Sequence, residues 1–160
     1  MMRARRSDGF TLIEILVVVA IIVVMVGLAG AQLMRGPADV VREESEHLAL
    51  LLRAAREEAI LQGRVFAFGA GRESYRFLRL EPNGRLKATS GDDLFRSQRM
   101  PPGIVIDALQ IDGAGETPQD GVVFLPSGEL PAFRIVLKSG SARWSVVGAP
   151  DGTIRAQAVS

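Results

Sequence analysis

The side chains near the N-terminus that are capable of chemistry are one carboxylate and the arginines that precede it. Glu14 stands just inside an apolar run that continues to Met34, and Arg3, Arg5 and Arg6 lie ahead of it. An uncharged run of about twenty residues is long enough to cross a bilayer as a helix. A carboxylate inside such a helix costs about 2.5–3.5 kcal/mol on insertion scales. We therefore expect a group outside this chain to compensate the charge of Glu14.

Two common N-terminal signals, a secretory signal peptide and a plain signal anchor, do not account for all the features of this segment. In a secretory signal peptide, an apolar run of about 7–15 residues is followed by a small residue at the cleavage site. Here Gly9 precedes the apolar run, and the run is longer than that. A plain signal anchor explains the arginines, since positive charge stays on the cytoplasmic side of the membrane. It does not explain why Glu14 is tolerated.

Segment 9–14, GFTLIE, resembles the class III signal of the type IV pilin and pseudopilin superfamily. The resemblance implies that a prepilin peptidase removes the leader 1–9 by cutting between Gly9 and Phe10, and that Phe10 is then N-methylated. It also implies a protein of the bacterial inner membrane that crosses once and places its C-terminal domain in the periplasm. The alternative is an unprocessed membrane anchor.

In the processed chain Glu14 has a defined partner. Cleavage creates an ammonium at Phe10, and Glu14 follows four residues later, which is about one helical turn. Because either charge is costly when unpaired in hydrocarbon, the carboxylate can neutralise the amine within one subunit or between neighbours. We predict that Glu14 sets subunit recruitment and register in a filament. The alternative is an intramolecular neutraliser with no role in assembly.

Composition excludes several classes of function. Lys plus Arg is 19 and Asp plus Glu is 18, and removal of the leader leaves the remaining side chains near neutral. Nucleic-acid binding is not expected, because it requires clustered positive charge. The chain contains no cysteine, which excludes disulfides, thiolate metal sites and cysteine nucleophiles.

No enzymatic site is predicted, and no cofactor or metal is expected. His47 is the only histidine and follows several glutamates, a pattern that is typical of a solvated helix face rather than a zinc site. Ser127 has no base near it in the sequence and is predicted to be a turn residue. The acidic segment 112–120 is a weak calcium candidate, because its carboxylates lack a fixed ligand spacing.

A helical period resumes after a weak point in the chain. Glycine and proline residues between Gly27 and Pro37 disfavour a helix, so we expect either a kink at the membrane surface or a stretch that unwinds during assembly. Beyond this point an apolar stripe predicts a helix that packs on a sheet and ends at Gly63. The stripe consists of Leu48, Leu51, Leu52, Ala55 and Ala59.

Short apolar segments between glycine- and proline-rich turns predict antiparallel strands in the rest of the chain. Trp144 alternates with polar neighbours and is predicted to face the core, with an exposed partner anchor as the alternative. Loops are predicted at 69–72, 90–98 and 112–120. The predicted strands are 64–69, 74–80, 85–88, 104–111, 122–125, 133–138, 143–147 and 153–156.

Three segments narrow the resemblance to the H-type minor pseudopilins of the type II secretion system. They are 51–60 (LLRAAREEAI), 124–129 (FLPSGE), and 144–147 (WSVV) with Asp151 and Gly152 beyond it. The resemblance implies an α+β, pilin-like fold in which a long N-terminal transmembrane helix packs on an antiparallel, β-sandwich-like C-terminal domain. The implied division is a transmembrane half at 10–34, an amphipathic periplasmic half at 35–63 and a β-rich periplasmic domain at 64–160.

The function implied by this resemblance is structural. A minor pseudopilin is an assembly subunit of the pseudopilus that drives export of folded proteins across the outer membrane. The implied partners are the I, J and K minor pseudopilins, the major pseudopilin, the prepilin peptidase and the inner membrane. The alternative is a minor pilin of a type IV pilus that acts in pilus assembly or DNA uptake. DNA capture requires a basic patch with exposed aromatic residues, and the cations available near the C-terminus are Arg134, Lys138, Arg143 and Arg155.

Overall fold

The computed structural model of the chain describes residues 12–33, 36–89, 95–112 and 121–159, with side chains in the first range given as far as Gly27. The chain divides after Arg35 into two compact units, which are considered one at a time.

The first unit contains helix α1 (Leu12–Leu33), which is 22 residues long. Its sequence is apolar on every side, and Glu14 lies in its first turn. A helix without a polar face has to be covered by lipid or by other protein. Among the described residues, no helix satisfies the combined length and hydropathy requirement for a membrane span.

The second unit opens with helix α2 (Pro37–Gln62). Gly36 precedes it with an extended backbone, at φ −70 and ψ 160. Proline suits the first helical position, where its missing N–H is not needed, and it disfavours a helical conformation in the residue before it. The predicted weak point therefore separates two helices, since α1 ends at Leu33 and α2 begins at Pro37. The predicted cap is confirmed, because Gly63 ends α2 with a φ of 62.

One face of α2 forms the centre of the core. The whole predicted apolar stripe is buried, and Val41 and Ser45 extend it toward the start of the helix. The hydroxyl of Ser45 donates to the carbonyl oxygen of Val41 at 2.7 Å, so this buried polar group is satisfied. Leu50 and Leu61 lie on the other side of the helix and are exposed.

The strands that follow in the described residues form two antiparallel sheets. They are β1 (Phe66–Ala70), β2 (Ser74–Leu80), β3 (Leu86–Ala88), β4 (Gln98–Arg99), β5 (Val105–Ile111), β6 (Val122–Phe124), β7 (Phe133–Ser139), β8 (Ala142–Gly148) and β9 (Ile154–Ala158).

Sheet 1 has the order β3-β2-β1-β6, and β4 also pairs with β2. Because β1 occupies one edge of β2, strands β3 and β4 share the other edge. Aromatic side chains of β1 and β2 and one that precedes β4 form a ring cluster with neighbouring centroids 5.3 to 6.1 Å apart, in the tilted and edge arrangements that aromatic pairs prefer. The cluster comprises Phe66, Phe68, Tyr75, Phe77 and Phe95.

Sheet 2 has the order β5-β7-β8-β9, and α2 packs against β7, β8 and β9. Ile135, Leu137 and Val146 are fully buried on the side of the sheet that faces the helix. Trp144 is half-buried and packs against the same core, which confirms the prediction for this residue.

The predicted α+β class is confirmed, and the predicted strands lie within a few residues of the observed ones. The clear departure is β4, which lies at the end of a segment predicted to be a loop. Its pairing is limited to Gln98 with Tyr75 and Arg99 with Ser74. A strand of two residues is too short to leave a periodic signal in the sequence.

We expect Leu52→Ala to lower the free energy of unfolding by about 2–5 kcal/mol, because it removes buried methyl groups and leaves a cavity. Leu61→Ala is the matched control on the same helix, since Leu61 is 81% exposed whereas Leu52 is 0% exposed. Denaturant titration of segment 36–160, which holds every buried hydrophobic side chain of the described residues, measures both values. Equal losses in the two variants would contradict the assignment of the core face.

Candidate assembly surface

Of the side chains predicted to function at the N-terminus, Glu14 is the one that falls among the described residues. The others lie outside them: Arg3, Arg5, Arg6, Gly9 and Phe10. Glu14 is exposed in the first turn of α1. The free N–H groups of a first turn favour a negative charge at this position. Its carboxylate is therefore available to a positively charged partner.

The apolar side chains that follow Glu14 are uncovered in their own unit. From Leu12 to Val26, each large apolar side chain is between 46% and 84% exposed. Continuous apolar surface of this kind marks contact with lipid or with another protein. The first unit therefore carries a surface for association together with one carboxylate.

In the second unit, the three segments that carry the narrower resemblance meet at one side chain. Arg56 of the first segment donates from Nε to the carbonyl oxygen of Gly128, in the second segment, at 2.8 Å. Gly152 of the third segment lies directly against the guanidinium of Arg56. We call this arrangement the Arg56 joint, and it ties α2 to the turn after β6 and to the turn between β8 and β9.

Both turns of the Arg56 joint require glycine. Gly128 has a φ of 82 and Gly152 a φ of 88, a region that side chains with a Cβ rarely adopt. A Cβ at Gly128 would stand 3.1 Å from Nη2 of Arg56, and a Cβ at Gly152 would overlap the guanidinium. The glycines thus provide both the turn conformation and the space that the arginine occupies.

The turn beside the joint carries a carboxylate of its own. The backbone N–H of Thr153 donates to Oδ1 of Asp151 at 2.8 Å. This hydrogen bond lowers the pKa of the Asp151 carboxyl, and the Thr153 side chain, Arg155 and Arg56 act in the same direction. The carboxylate is therefore held ionised near the cationic joint.

A half-buried carboxylate, Glu44, lies near the start of α2. Burial raises the pKa of the Glu44 carboxyl; His47 opposes the rise and Glu43 adds to it. Burial also raises the pKa of the Tyr75 hydroxyl, and the charge of Glu44 contributes to that rise. The Tyr75 hydroxyl donates to Oε1 of Gln98 at 3.1 Å, which ties β4 to β2. Glu44 is therefore a carboxylate held in an unfavourable environment.

The other candidates from the sequence are placed as follows. His47 is exposed on α2, and in the described part of the chain no group of three or more His, Cys, Asp or Glu side chains is arranged to hold a metal. Ser127 lies in a turn closed by a 2.9 Å hydrogen bond from the Gly128 N–H to the Leu125 carbonyl. The carboxylates of the calcium candidate beyond Asp112 fall outside the described residues.

We expect Arg56→Met to lower the free energy of unfolding by about 1–3 kcal/mol, because it removes a charged donor from the buried Gly128 carbonyl. Arg53→Met is the matched control, since Arg53 is exposed and its Nε donates within the helix to the Ala49 carbonyl. The control should change stability by about 0.5 kcal/mol or less in the same denaturant titration. If both variants lose the same amount, the joint does not stabilise the fold.

We expect Glu44→Gln to raise the melting temperature at pH 7 and to have a smaller effect as the pH falls to the ordinary pKa of 4.5. The native state disfavours the ionised Glu44 carboxylate, so the wild type is penalised above the ordinary pKa of 4.5 and relieved below it. Calorimetry across this pH range compares Glu44→Gln with Glu46→Gln, an exposed position on the same helix. An advantage of Glu44→Gln that stays constant with pH would contradict the assignment.

Comparison with known proteins agrees with this architecture. The model of the family described as type II transport protein GspH matches residues 44–152, which include the whole Arg56 joint. A prokaryotic N-terminal methylation motif matches residues 4–30. The type II secretion system protein H of Pseudomonas aeruginosa is 36% identical over 151 residues, covering 83% of this chain and 84% of that protein.

Solved structures show the same fold. The crystal structure of the minor pseudopilin EpsH from the type II secretion system of Vibrio cholerae superposes with a TM-score of 0.67 at 20% identity, over 78% of this chain and 98% of that chain. The solution structure of Escherichia coli GspH gives a TM-score of 0.55 at 15% identity, over 76% of this chain and 91% of that chain. Since the family model covers more than half of the 160 residues, the chain belongs to the GspH family of type II transport proteins.

Proposed function

We propose that this protein is a minor pseudopilin, a structural subunit of the type II secretion pseudopilus. The observation that carries the proposal is the joint presence of a GspH domain at 44–152 and a methylation motif at 4–30. The uncovered apolar helix α1, with Glu14 in its first turn, is the kind of surface that such a subunit needs. The role is non-enzymatic, since it consists of binding to other subunits.

The methylation motif at residues 4–30 supports the processing that we propose. The leader 1–9, with its three arginines, stays in the cytoplasm; the prepilin peptidase cuts between Gly9 and Phe10; and Phe10 is N-methylated. Residues 10–34 then anchor the protein in the inner membrane in a single pass. Segment 35–63 and the β-rich domain 64–160 lie in the periplasm.

In the proposed subunit, Glu14 determines the axial position of the N-terminal helix in the filament. The new amine at Phe10 is a positive charge at the edge of an apolar environment, and an unpaired charge there is costly. Pairing between the Phe10 amine of one subunit and the Glu14 carboxylate of its neighbour removes both costs and fixes the axial register. Glu14 is exposed in the first turn of α1, so its carboxylate is accessible to such a partner.

The partners of the proposed subunit are other pseudopilins, namely the I, J and K minor types and the major type. Growth of the pseudopilus would push folded proteins through an outer-membrane channel, with energy from an ATPase elsewhere in the machine. The role of a pilus minor pilin is the second candidate from the sequence. The matched relatives are secretion proteins by name, which favours the pseudopilus.

We expect Glu14→Gln to reduce recovery of the protein with other pseudopilins by about 100-fold, because the amine of the neighbouring subunit loses its counter-charge in an apolar environment. Glu73→Gln, at an exposed position between β1 and β2, is the control and should behave as wild type. The measurement is co-purification from membranes of the native host, together with secretion of folded proteins.

Intact-mass analysis of the same membrane extracts separates processing from assembly. The wild type and both variants should begin at Phe10 and carry one additional methyl group. A chain that keeps its leader would contradict the proposed function as a whole. Normal secretion by correctly processed Glu14→Gln would contradict the role of Glu14 alone.

A further inference from the structure

Sheet 2 gathers the four cations of residues 121–159 on the side that faces away from α2. Register pairs Arg134 with Val147, and Val147 with Arg155, so the two arginines lie in one row across β7, β8 and β9. Lys138 pairs directly with Arg143 in a second row. Directly paired residues point to the same side of an antiparallel sheet. We call the surface formed by Arg134, Lys138, Arg143 and Arg155 the basic face.

The basic face is compact. Strands lie about 4.8 Å apart and residues rise about 3.4 Å along a strand, so the two rows are separated by about 13 Å and Arg134 from Arg155 by about 10 Å. Arg134 and Arg155 are exposed, and the Arg143 side chain is 51% exposed. Nη1 of Arg134 stands 3.4 Å from the hydroxyl of Ser145, so the guanidinium lies across the sheet rather than away from it.

The charge of this face is only partly compensated by the sheet. Within the four strands of sheet 2, the single carboxylate is that of Asp107, which lies 3.7 Å from Nη2 of Arg143, and the turn before β9 adds Asp151, whose carboxylate interacts with Arg155. Like charges placed directly opposite each other on neighbouring strands destabilise a sheet, as for Lys138 and Arg143. The arrangement therefore leaves a positively charged surface, and a negatively charged partner would reduce the repulsion between its cations.

The opposite side of the same unit is acidic. Helix α2 covers the inner side of sheet 2, and Asp39, Glu43, Glu46 and Glu57 are exposed on its outer side, whereas Glu44 and Glu58 are half-buried. Acidic residues outnumber arginines on this helix, and the arginine at position 56 is directed to the turn carbonyl of Gly128. The acidic residues are Asp39, Glu43, Glu44, Glu46, Glu57 and Glu58, and the arginines are Arg42, Arg53 and Arg56.

From these two faces we infer that the basic face docks the acidic outer surface of an α2-type helix on the adjacent subunit of the pseudopilus. This inference rests on the proposed function, because it takes the neighbour to be another subunit of the same fold. Unlike faces on opposite sides of one subunit make a head-to-tail contact, and such contacts build open helical filaments. Opposite charge on the two faces also speeds and orients the encounter.

The chemistry of the face favours an acidic protein surface over a nucleic acid. Single-stranded nucleic acids are held by aromatic stacking platforms in a basic groove. None of the residues interspersed among the cations on this face is aromatic; they are Val136, Ser145, Val147 and Gln157. Trp144 packs against the core on the other side of the sheet.

The test is photo-crosslinking of the full-length protein in its native host. A photoreactive amino acid replaces Gln157, which lies in the middle row of the face beside Ser145. The crosslinked partner and the crosslinked residue are identified by mass spectrometry. We expect a product with the helix of another pseudopilin, and we expect Arg134→Glu with Arg155→Glu to reduce its yield by about tenfold or more.

Arg85→Glu with Lys87→Glu is the matched control, because it makes the same change of charge at exposed positions beside and within β3. Its crosslinking yield should equal that of the wild type. A second probe at Val17, on the uncovered surface of α1, reports whether the protein enters a filament at all.

The outcomes separate the two proposals. If the Val17 probe captures pseudopilins and the Gln157 probe captures none, captures lipid or DNA, or is insensitive to charge reversal, the docking inference is wrong and the proposed function stands. If neither probe captures a pseudopilin, the proposed function is wrong as well. Capture of a pseudopilin β-sheet instead of its helix would also overturn the inference.

Discussion

The burial of one face of α2 is the interaction on which the second unit depends. Leu48, Leu52 and Ala55 are fully buried, and the helix contacts strands of both sheets. Each buried leucine contributes about 1.5–3 kcal/mol relative to an exposed one. Without this face, the inner sides of the sheets would expose the aromatic cluster and the aliphatic row of β7. Because the core packs against only one side of α2, charged residues can occupy its other side.

The parts of this fold that were predicted from the sequence are those set by local periodicity. The stripe from Leu48 to Ala59 repeats with the helical period, and Gly63 is a recognisable helix end. The Arg56 joint has no such signal, because Arg56 and Gly128 are separated by 72 positions in the chain. All three segments of the joint contributed to the family resemblance, but the sequence did not indicate that they are in contact.

The basic face illustrates a second limit of the same kind. Arg134 and Lys138 have the same parity along β7, so a sequence can predict that they share a side of one strand. Their relation to Arg143 and Arg155 depends on the register between strands, which is set by turn geometry and core packing. In the sequence these cations are scattered; in the sheet they form two rows.

The two charged sites of the proposed subunit, Glu14 and the basic face, lie in different surroundings, so their ion pairs differ in strength. An unpaired carboxylate in an apolar environment costs about 2.5–3.5 kcal/mol, and we propose that Glu14 thereby favours one register strongly over all others. Exposed ion pairs such as those available to the basic face are worth about 0.2–1 kcal/mol each and are screened by salt. Such pairs select partners and speed association, since charge complementarity acts on encounter more than on affinity. Register and partner choice therefore call for separate sites, and in the proposed subunit they lie on separate elements: Glu14 on the apolar helix α1 and the basic face on strands β7, β8 and β9.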